Sequence, residues 1–244
     1  MLSLLALACS TTPVPVETPI PVPAPVPAPT SDVQVVTLQT SDGVALEADY
    51  YGTEPAPAFV LLHMIPPSND RTNWPRSFVD ALRAEGWAAL VVDRRGAGNS
   101  GGTARDAYEG PNGRLDADAA VAFLTERGHG PIALIGASNG TTSILDYATW
   151  AAANDRPVPT ALGFMTGGRY TENQTAMSEL SGIPSVFTYS TAEATWSEQQ
   201  QGFDDGTWSF LEYPGGAHGT RMFESKPEVS ADLVDFFRPL LAQE

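Results

Sequence analysis

The chain has 244 residues, 42% of them hydrophobic, which suits a single large domain that buries a substantial core. Its formal net charge of −16 at pH 7 disfavours nucleic acid, anionic membrane surfaces and strongly anionic substrates as partners, because each would be repelled. A single cysteine, Cys9, excludes an intrachain disulfide, and no metal-binding motif occurs in the sequence.

The first nine residues resemble the end of a bacterial lipoprotein signal. An apolar run, Leu2–Ala8, precedes Cys9, the residue that such signals lipidate, and it is too short to span a bilayer, which takes about 20 residues. Ala6 stands where leucine is usual, and no basic residue precedes the run. A true start upstream of Met1 would explain the second departure. The resemblance implies a lipid-anchored or secreted protein of the cell envelope; a cleaved ordinary signal and a cytoplasmic apolar tail are the alternatives.

Residues 10–30 are expected to be a proline-rich, disordered linker. Proline occupies eight of the seventeen positions from Pro13 to Pro29, which opposes helix and sheet and favours polyproline II. At about 3.1 Å per residue, such a spacer would hold an anchored domain clear of a membrane. The folded domain is therefore expected to comprise residues 31–244.

From residue 33 onward, short apolar runs alternate with amphipathic windows. VQVVTL and VALEADYY, with TSDG between them, predict an antiparallel hairpin. Further strands are predicted at AFVLLH, WAALVVD, PIALIG, TALGFM, PSVFTYS and WSFLEY, and helices at residues 74–85, LDADAAVAFLTERG, SILDYATWAAA and VSADLVDFFRPLLAQ. This alternation predicts an α/β fold with a mostly parallel sheet, helices on both faces, and functional sites at the carboxyl ends of strands.

The segment GASNG contains a candidate nucleophile, Ser138, in a G-x-S-x-G pattern. It follows the predicted strand PIALIG and precedes a helix, the setting of a nucleophile elbow, where a strained turn lifts the serine hydroxyl above the sheet. Larger residues at Gly136 and Gly140 would collide with the adjacent strand and helix. The helix N-terminus adds free N–H groups that favour developing negative charge. The alternative is an ordinary serine between two glycines.

Four segments in this order resemble the α/β-hydrolase family. Besides GASNG, VVDRRGAGNSGG is similar to the family's D-x-R-G-x-G-x-S loop, VLLHMIPPSNDRTNW resembles the segment that builds the oxyanion hole, and YPGGAHGT resembles the segment that carries the catalytic histidine. Together they span nearly all of residues 33–244, and they are most similar to small, lid-poor esterases and dienelactone-hydrolase-like members. The resemblance implies the α/β-hydrolase fold and a serine hydrolase that needs no cofactor.

The resemblance also implies a triad in the order serine, acid, histidine. His218 is the only histidine after Ser138, which makes it the expected base. Glu193, just after PSVFTYS, matches the family's acid position, and either carboxylate type can orient an imidazole. Asp204 and Asp205 are the alternatives, and Glu193 would then be a solvated loop carboxylate.

The oxyanion hole requires two backbone N–H donors. The resemblance assigns one to Asn139, directly after the nucleophile, and the other to Ile65, with Met64 second. The chain departs from the family's H-G-x pattern here, because it reads His63-Met64-Ile65. His63 is expected to be structural or to form a wall of the site.

The segment between TALGFM and PSVFTYS has little room for the helical lid that many relatives insert. An open, shallow cleft is therefore expected, lined by Arg169 and Tyr170 and suited to small or extended substrates. His129, in the polar turn RGHGP, is expected to be exposed and without a role.

Together these features predict a serine hydrolase that cleaves an ester-type bond of a small or extended substrate through an acyl-enzyme. Two alternatives stay open: a non-catalytic binding protein with this fold, and a triad enzyme acting as peptidase, thioesterase or acyltransferase. The expected partner is a small-molecule ester. A membrane is expected to be contacted only through a lipid at Cys9, and the chain is expected to be a monomer.

Overall fold

The computed structural model describes residues 33–52, 55–171, 174–180 and 182–242. The predicted signal remnant 1–9 with Cys9, and the predicted linker 10–30, lie outside the described residues. Within the described part, no helix combines the length and the apolar composition needed to cross a bilayer.

Eight strands form one sheet in the order β1-β2-β4-β3-β5-β6-β7-β8. Only the pairs β1–β2 and β2–β4 are antiparallel, so the predicted hairpin and the mostly parallel sheet are both confirmed. The strands are β1 Gln34–Gln39, β2 Ala45–Tyr51, β3 Ala58–Leu62, β4 Ala88–Val92, β5 Ile132–Ala137, β6 Ala161–Met165, β7 Ser185–Ser190 and β8 Trp208–Tyr213.

Six α-helices accompany the sheet in the described part. They are α1 Arg76–Ala84, α2 Gly113–Glu126, α3 Asn139–Ala151, α4 Ala194–Gln200, α5 Met222–Ser225 and α6 Val229–Leu241. The short helices α4 and α5 were not predicted, and α3 begins four residues before the predicted SILDYATWAAA. Helix α4 is seven residues long and is held by tertiary packing, since its Trp196 contacts the rings of Phe164 and Phe187.

The helices pack on both faces of the sheet, as predicted. Strand β3 is buried throughout and alternates between the faces, because successive side chains of a strand point in opposite directions. Phe59 and Leu61 join the apolar cluster that includes α1 and α6. Val60 and Leu62 join the cluster that includes α2 and α3. The parallel strands β3 to β7 are therefore buried along their whole length, whereas the edge strand β8 is partly exposed.

Candidate active site

Ser138 links β5 to α3 in a backbone conformation that non-glycine residues rarely adopt. Its φ is 49° and its ψ is −123°, and it is the N-cap of α3. Such strained conformations cost about 1–3 kcal/mol and persist where the surroundings enforce them. Here the Ser138 N–H donates to the Met165 carbonyl at 2.8 Å, and the Ser138 carbonyl accepts from the Thr141 N–H at 2.8 Å. The backbone therefore fixes the serine on both sides.

The two glycines of the elbow allow three elements to meet. A Cβ on Gly136 would overlap the Gly140 carbonyl at the start of α3. A Cβ on Gly140 would lie 2.5 Å from the Leu62 carbonyl oxygen and 2.7 Å from that of His63. The steric requirement predicted for this motif is confirmed, and the start of α3 packs directly against the chain that leaves β3.

Ser138, His218 and Glu193 form a continuous chain of hydrogen bonds. His218 Nε2 lies 2.7 Å from Ser138 Oγ, and His218 Nδ1 lies 2.6 Å from Glu193 Oε1. An ionised carboxylate only accepts, so this contact puts the imidazole proton on Nδ1 and leaves Nε2 free to accept the serine proton. Glu193 closes the turn after β7, and His218 lies in the loop after β8. The structure thus brings the three predicted residues together.

The two alternative acids are engaged elsewhere. Asp204 Oδ1 accepts from the N–H groups of Gly206, at 2.8 Å, and Trp208, at 3.0 Å. Asp205 Oδ1 accepts from the N–H and the hydroxyl of Thr207. Both aspartates therefore stabilise the turn before β8, and neither contacts His218.

Thr166 was not predicted from the sequence, and it supports the loop after β8 that carries His218. It follows β6, is 1% exposed, and has a φ of 50°, which is rare for a β-branched residue. Its Oγ1 accepts from the Gly219 N–H at 3.0 Å, directly beside His218. A single threonine after a strand is too common a pattern to have indicated this role.

Tyr170 lies against the catalytic candidates. Its ring stands perpendicular to the His218 imidazole, with 6.2 Å between the ring centroids, and its hydroxyl donates to the Thr166 carbonyl at 2.8 Å. Burial raises the pKa of Tyr170 to about 12. The phenol is therefore a neutral group beside His218.

The predicted oxyanion donors belong to two segments that pack together, the start of α3 and the chain after β3. Asn139 is the first residue of α3, where an N–H has no partner within the helix. Among the described residues, no acceptor takes the N–H of Met64 or of Ile65. The Met64 side chain is 3% exposed, and a Cβ on Gly219 would lie 2.5 Å from its sulfur and 3.7 Å from Ser138 Cβ. The Met64 side chain therefore packs beside the histidine loop.

His63 is a structural residue and not a wall of an accessible cleft. It has no exposed surface, and its Nε2 accepts from the Arg94 N–H at 2.9 Å. The protonated Nδ1 therefore donates to the Met64 carbonyl at 2.8 Å. Burial, and then the Arg94 charge, lower the pKa of His63 to about 3, so the ring is neutral. Its assignment as a substrate-lining residue is corrected accordingly.

The expectation that His129 is exposed was wrong. The residue is buried, with 6% of its surface exposed. Its Nε2 lies 2.7 Å from the Tyr50 hydroxyl. Its Nδ1 contacts the backbone of Ala56. This partner set comes from distant parts of the chain, and it ties the turn before β5 to β2 and β3.

The loop after β4 buries charged residues beneath the site. Arg95 is 1% exposed and its Nε donates to Asp116 Oδ1 at 2.8 Å, while Asp116 is fully buried. Asp42 accepts from the other end of the same guanidinium. Within the described residues, no group of three or more His, Cys, Asp or Glu side chains is placed to hold a metal ion.

A cavity of about 380 Å³ lies next to the predicted cleft residues. Arg169 is exposed and lies on its edge, and Trp196 lies so close to Gly167 that a Cβ there would overlap the indole ring. The cavity is lined by Arg169, Gln174, Thr175, Ala176, Met177, Trp196, Gln199, Gln200 and Phe203. Between β6 and β7, the described residues contain one 3-10 turn, Met177–Glu179, and no α-helix.

Comparison with solved structures finds similar architectures at low sequence identity. An esterase of Pyrococcus furiosus, Pf2001, matches 86% of this chain and 92% of its own, with 16% identity and a TM-score of 0.69. XC6422 from Xanthomonas campestris, described as an α/β serine hydrolase without lid, matches 90% and 100%, with 16% identity and a TM-score of 0.67. Est1E from Butyrivibrio proteoclasticus, solved with ferulic acid bound, matches 85% and 100%, with 15% identity and a TM-score of 0.68.

Comparison of the sequence alone finds no match, in contrast to comparison of the structure. No family model matches the chain, and no curated protein matches it. At about 16% identity, the structural likeness carries the architecture and its order of elements. The chain has the α/β-hydrolase fold.

Proposed function

We propose that the chain is a serine hydrolase that cleaves an ester bond through a covalent acyl-enzyme. One observation carries the proposal: the hydrogen-bonded chain from Ser138 Oγ through His218 to Glu193, with the serine on a strained elbow. Serine is a poor nucleophile unless a base accepts its proton, and the imidazole here has Nε2 in position to do so. A buried serine in a rare conformation has a structural cost that this chemistry would justify.

The proposed reaction has two halves. Ser138 Oγ attacks the ester carbonyl carbon while His218 Nε2 takes the hydroxyl proton, and Glu193 stabilises the imidazolium. The backbone N–H groups of Asn139 and Ile65, with Met64 second, bind the oxyanion. The carbon–oxygen bond to the alcohol then breaks as His218 returns the proton to that oxygen. Water attacks the acyl-enzyme with His218 as base, and the acid leaves as Ser138 regains its proton.

The proposed substrate is a small or extended ester that binds in an open cleft. The absence of an α-helix between β6 and β7 in the described residues supports this, as does the similar fold of XC6422, described as lacking a lid. Tyr170 would line the cleft beside Ser138, and Arg169 and Trp196 would line the adjoining cavity. Lipidation of Cys9, an envelope location and a monomeric state are parts of the proposal that rest on the sequence alone.

A fluorophosphonate probe followed by peptide mapping tests the proposal. We expect an adduct on Ser138 that is absent in Ser138→Ala and His218→Ala and retained in the matched control Ser230→Ala, which changes a serine of α6. Hydrolysis of 4-nitrophenyl acetate should fall about 10⁴-fold or more in Ser138→Ala. Wild-type turnover by Ser138→Ala, or no adduct on folded wild-type protein, would refute the proposal; the second result would favour a binding protein.

A further inference from the structure

Arg94 is a fully buried cation with no carboxylate on its guanidinium. It follows β4, has no exposed surface, and makes all its side-chain hydrogen bonds to neutral oxygens of the described residues. Arg95, the next residue, instead binds two carboxylates, those of Asp116 and Asp42. Burial lowers the pKa of Arg94 to about 10, so it still carries its charge at neutral pH. The Asp116 charge favours the cation but makes no hydrogen bond to it. A buried charge without a hydrogen-bonded counterion is costly, which calls for a reason.

One side of the guanidinium holds the chain that leaves β3. Arg94 Nη1 donates to the carbonyl oxygens of His63 at 3.3 Å and Met64 at 3.4 Å. The Met64 carbonyl also accepts from His63 Nδ1 at 2.8 Å. Because a trans peptide is planar, its C=O and N–H point in opposite directions. Anchoring the Met64 carbonyl toward Arg94 therefore turns the Ile65 N–H away from it, and anchoring the His63 carbonyl does the same for the Met64 N–H.

The other contacts of the guanidinium hold the start of α3. Nη1 donates to Asn139 Oδ1 at 2.8 Å, and Nη2 donates to Ser143 Oγ at 2.7 Å. The backbone N–H of Asn139 is one of the two proposed oxyanion donors. A single planar guanidinium therefore bridges the two segments that supply the donors, with Ala107 O as its remaining acceptor at 3.1 Å. Arginine suits this task because its donors have a fixed planar arrangement.

We propose that Arg94 is a positioning residue that locks the two halves of the oxyanion hole together and places a positive charge beneath it. The inference rests on the proposed hydrolase function. Arg94 contacts no substrate; it acts through the carbonyl of Met64 and the side-chain amide of Asn139. Because the region is shielded from water, its charge and the dipoles it orients act more strongly on a developing oxyanion than they would in solvent.

The test compares Arg94→Met and Arg94→Lys with the matched control Arg95→Lys, a change at the neighbouring buried arginine. Removing one oxyanion donor typically costs about 10²–10³ in kcat. We expect kcat for 4-nitrophenyl acetate to fall about 100-fold in Arg94→Met, with KM within about threefold, because the lost interactions favour the transition state. Affinity for phenylboronic acid, a tetrahedral analogue, should fall in parallel. Arg94→Lys keeps the charge and loses the planar arrangement of donors, so its kcat should lie between those of wild type and Arg94→Met.

The control separates positioning from general loosening of the fold. Arg95→Lys should lower the thermal midpoint and leave kcat per folded molecule unchanged. Equal losses of kcat in the Arg95 and Arg94 variants would overturn the inference, and so would wild-type kcat in folded Arg94→Met. If Arg94→Met does not fold, wild-type kcat and boronic acid affinity in Arg94→Lys would overturn it. Fluorophosphonate labelling of wild-type Ser138 in the same series shows whether the proposed function itself stands.

Discussion

The proposed nucleophile and its proposed base are held by different means in two regions of the molecule. Ser138 is 5% exposed and is fixed by its backbone, by a strained turn and by the buried contacts of α3 with the chain after β3. The side chains of His218 and Glu193 are 33% and 35% exposed and lie in loops after β8 and β7. We call Ser138, the start of α3 and the chain after β3 the nucleophile region. We call the loops that carry His218 and Glu193 the base region.

The difference suits the two halves of the proposed reaction. An oxyanion needs donors that are already oriented when the charge appears, and backbone N–H groups in a packed region meet that need. The base must also activate water, and a half-exposed imidazole is accessible to it. Rigidity is therefore concentrated where charge develops, and solvent access where proton transfer to and from water occurs.

The first prediction concerns Glu193, the proposed acid of the base region. Glu193→Gln keeps the shape of the side chain but removes the charge that stabilises the imidazolium, and its amide group can favour the wrong tautomer of His218. In buried triads this kind of change costs about 10⁴ in kcat. Because Glu193 is half-exposed, we expect a loss of about 10³, measured as kcat for 4-nitrophenyl acetate with unchanged unfolding in urea.

Asp204→Asn is the matched control for that change. It removes one carboxylate from the turn before β8, where Asp204 accepts backbone hydrogen bonds and does not contact His218. Its kcat should stay within about twofold of wild type, as for surface changes away from the site. The assignment of the acid would be wrong if Asp204→Asn lost activity and Glu193→Gln retained it.

The sequence predicted the features that follow from local pattern and from strand order. Ser138 was identified from the G-x-S-x-G pattern between a strand and a helix, and His218 and Glu193 from the triad order that the resemblance implies. All three lie after strands, and the carboxyl ends of parallel strands meet at one edge of the sheet. The glycines of the elbow were predicted for a steric reason that the distances bear out. These features depend on neighbours in the sequence or on the order of the strands.

What the sequence could not predict depends on contacts between distant segments. His129 looked exposed in RGHGP, but its partner Tyr50 lies 79 residues earlier. Arg94 lies in a recognised loop motif, yet its side-chain hydrogen bonds run to residues 13 to 49 positions away. Thr166 matters through Gly219, which lies 53 residues later. Spacing alone does not reveal which polar side chains will share a buried network.

A second prediction tests the nucleophile region through pH. His63 is neutral in the folded state down to about pH 3, whereas an unfolded histidine takes up a proton near its ordinary pKa of about 6.5. Between these values the unfolded state binds the extra proton, so stability falls as pH falls, by up to about 1.4 kcal/mol per pH unit from this residue. From pH 6 to pH 4.5, the free energy of unfolding of His63→Gln should therefore fall less steeply than that of wild type. The difference in slope should correspond to about one proton.

Urea unfolding of both proteins at several pH values gives the comparison. Carboxylates that lose ion pairs at low pH contribute to both curves and cancel in the difference. Glutamine can accept from the Arg94 N–H and donate to the Met64 carbonyl, so the variant keeps both hydrogen-bonding functions of the ring. Parallel curves for the two proteins would mean that His63 is protonated in the fold.

The third prediction concerns substrate specificity at the segment after β6, which lies outside both regions, and it has the smallest expected effect. Seven arginines of the described part pair with carboxylates: Arg71, Arg76, Arg83, Arg95, Arg105, Arg156 and Arg238. Arg169 and Arg221 are exposed and, within the described residues, contact neither a carboxylate nor an aromatic ring. Arg169 lines the cavity, so we propose that it binds one acidic group on an otherwise uncharged ester.

Arg169→Gln and Arg221→Gln remove the same charge, which isolates the effect of position. For 4-nitrophenyl hydrogen succinate, Arg169→Gln should raise KM about 3- to 10-fold, the range expected for losing one partly exposed charged hydrogen bond. For the uncharged methyl ester of the same compound, KM should not change, and Arg221→Gln should leave both values unaltered. Equal increases of KM in the two variants that both disappear as salt is added would indicate only a long-range effect of the protein's net charge. Unchanged KM in Arg169→Gln would mean that the cavity does not bind the acyl group, and specificity would then have to arise in the nucleophile region.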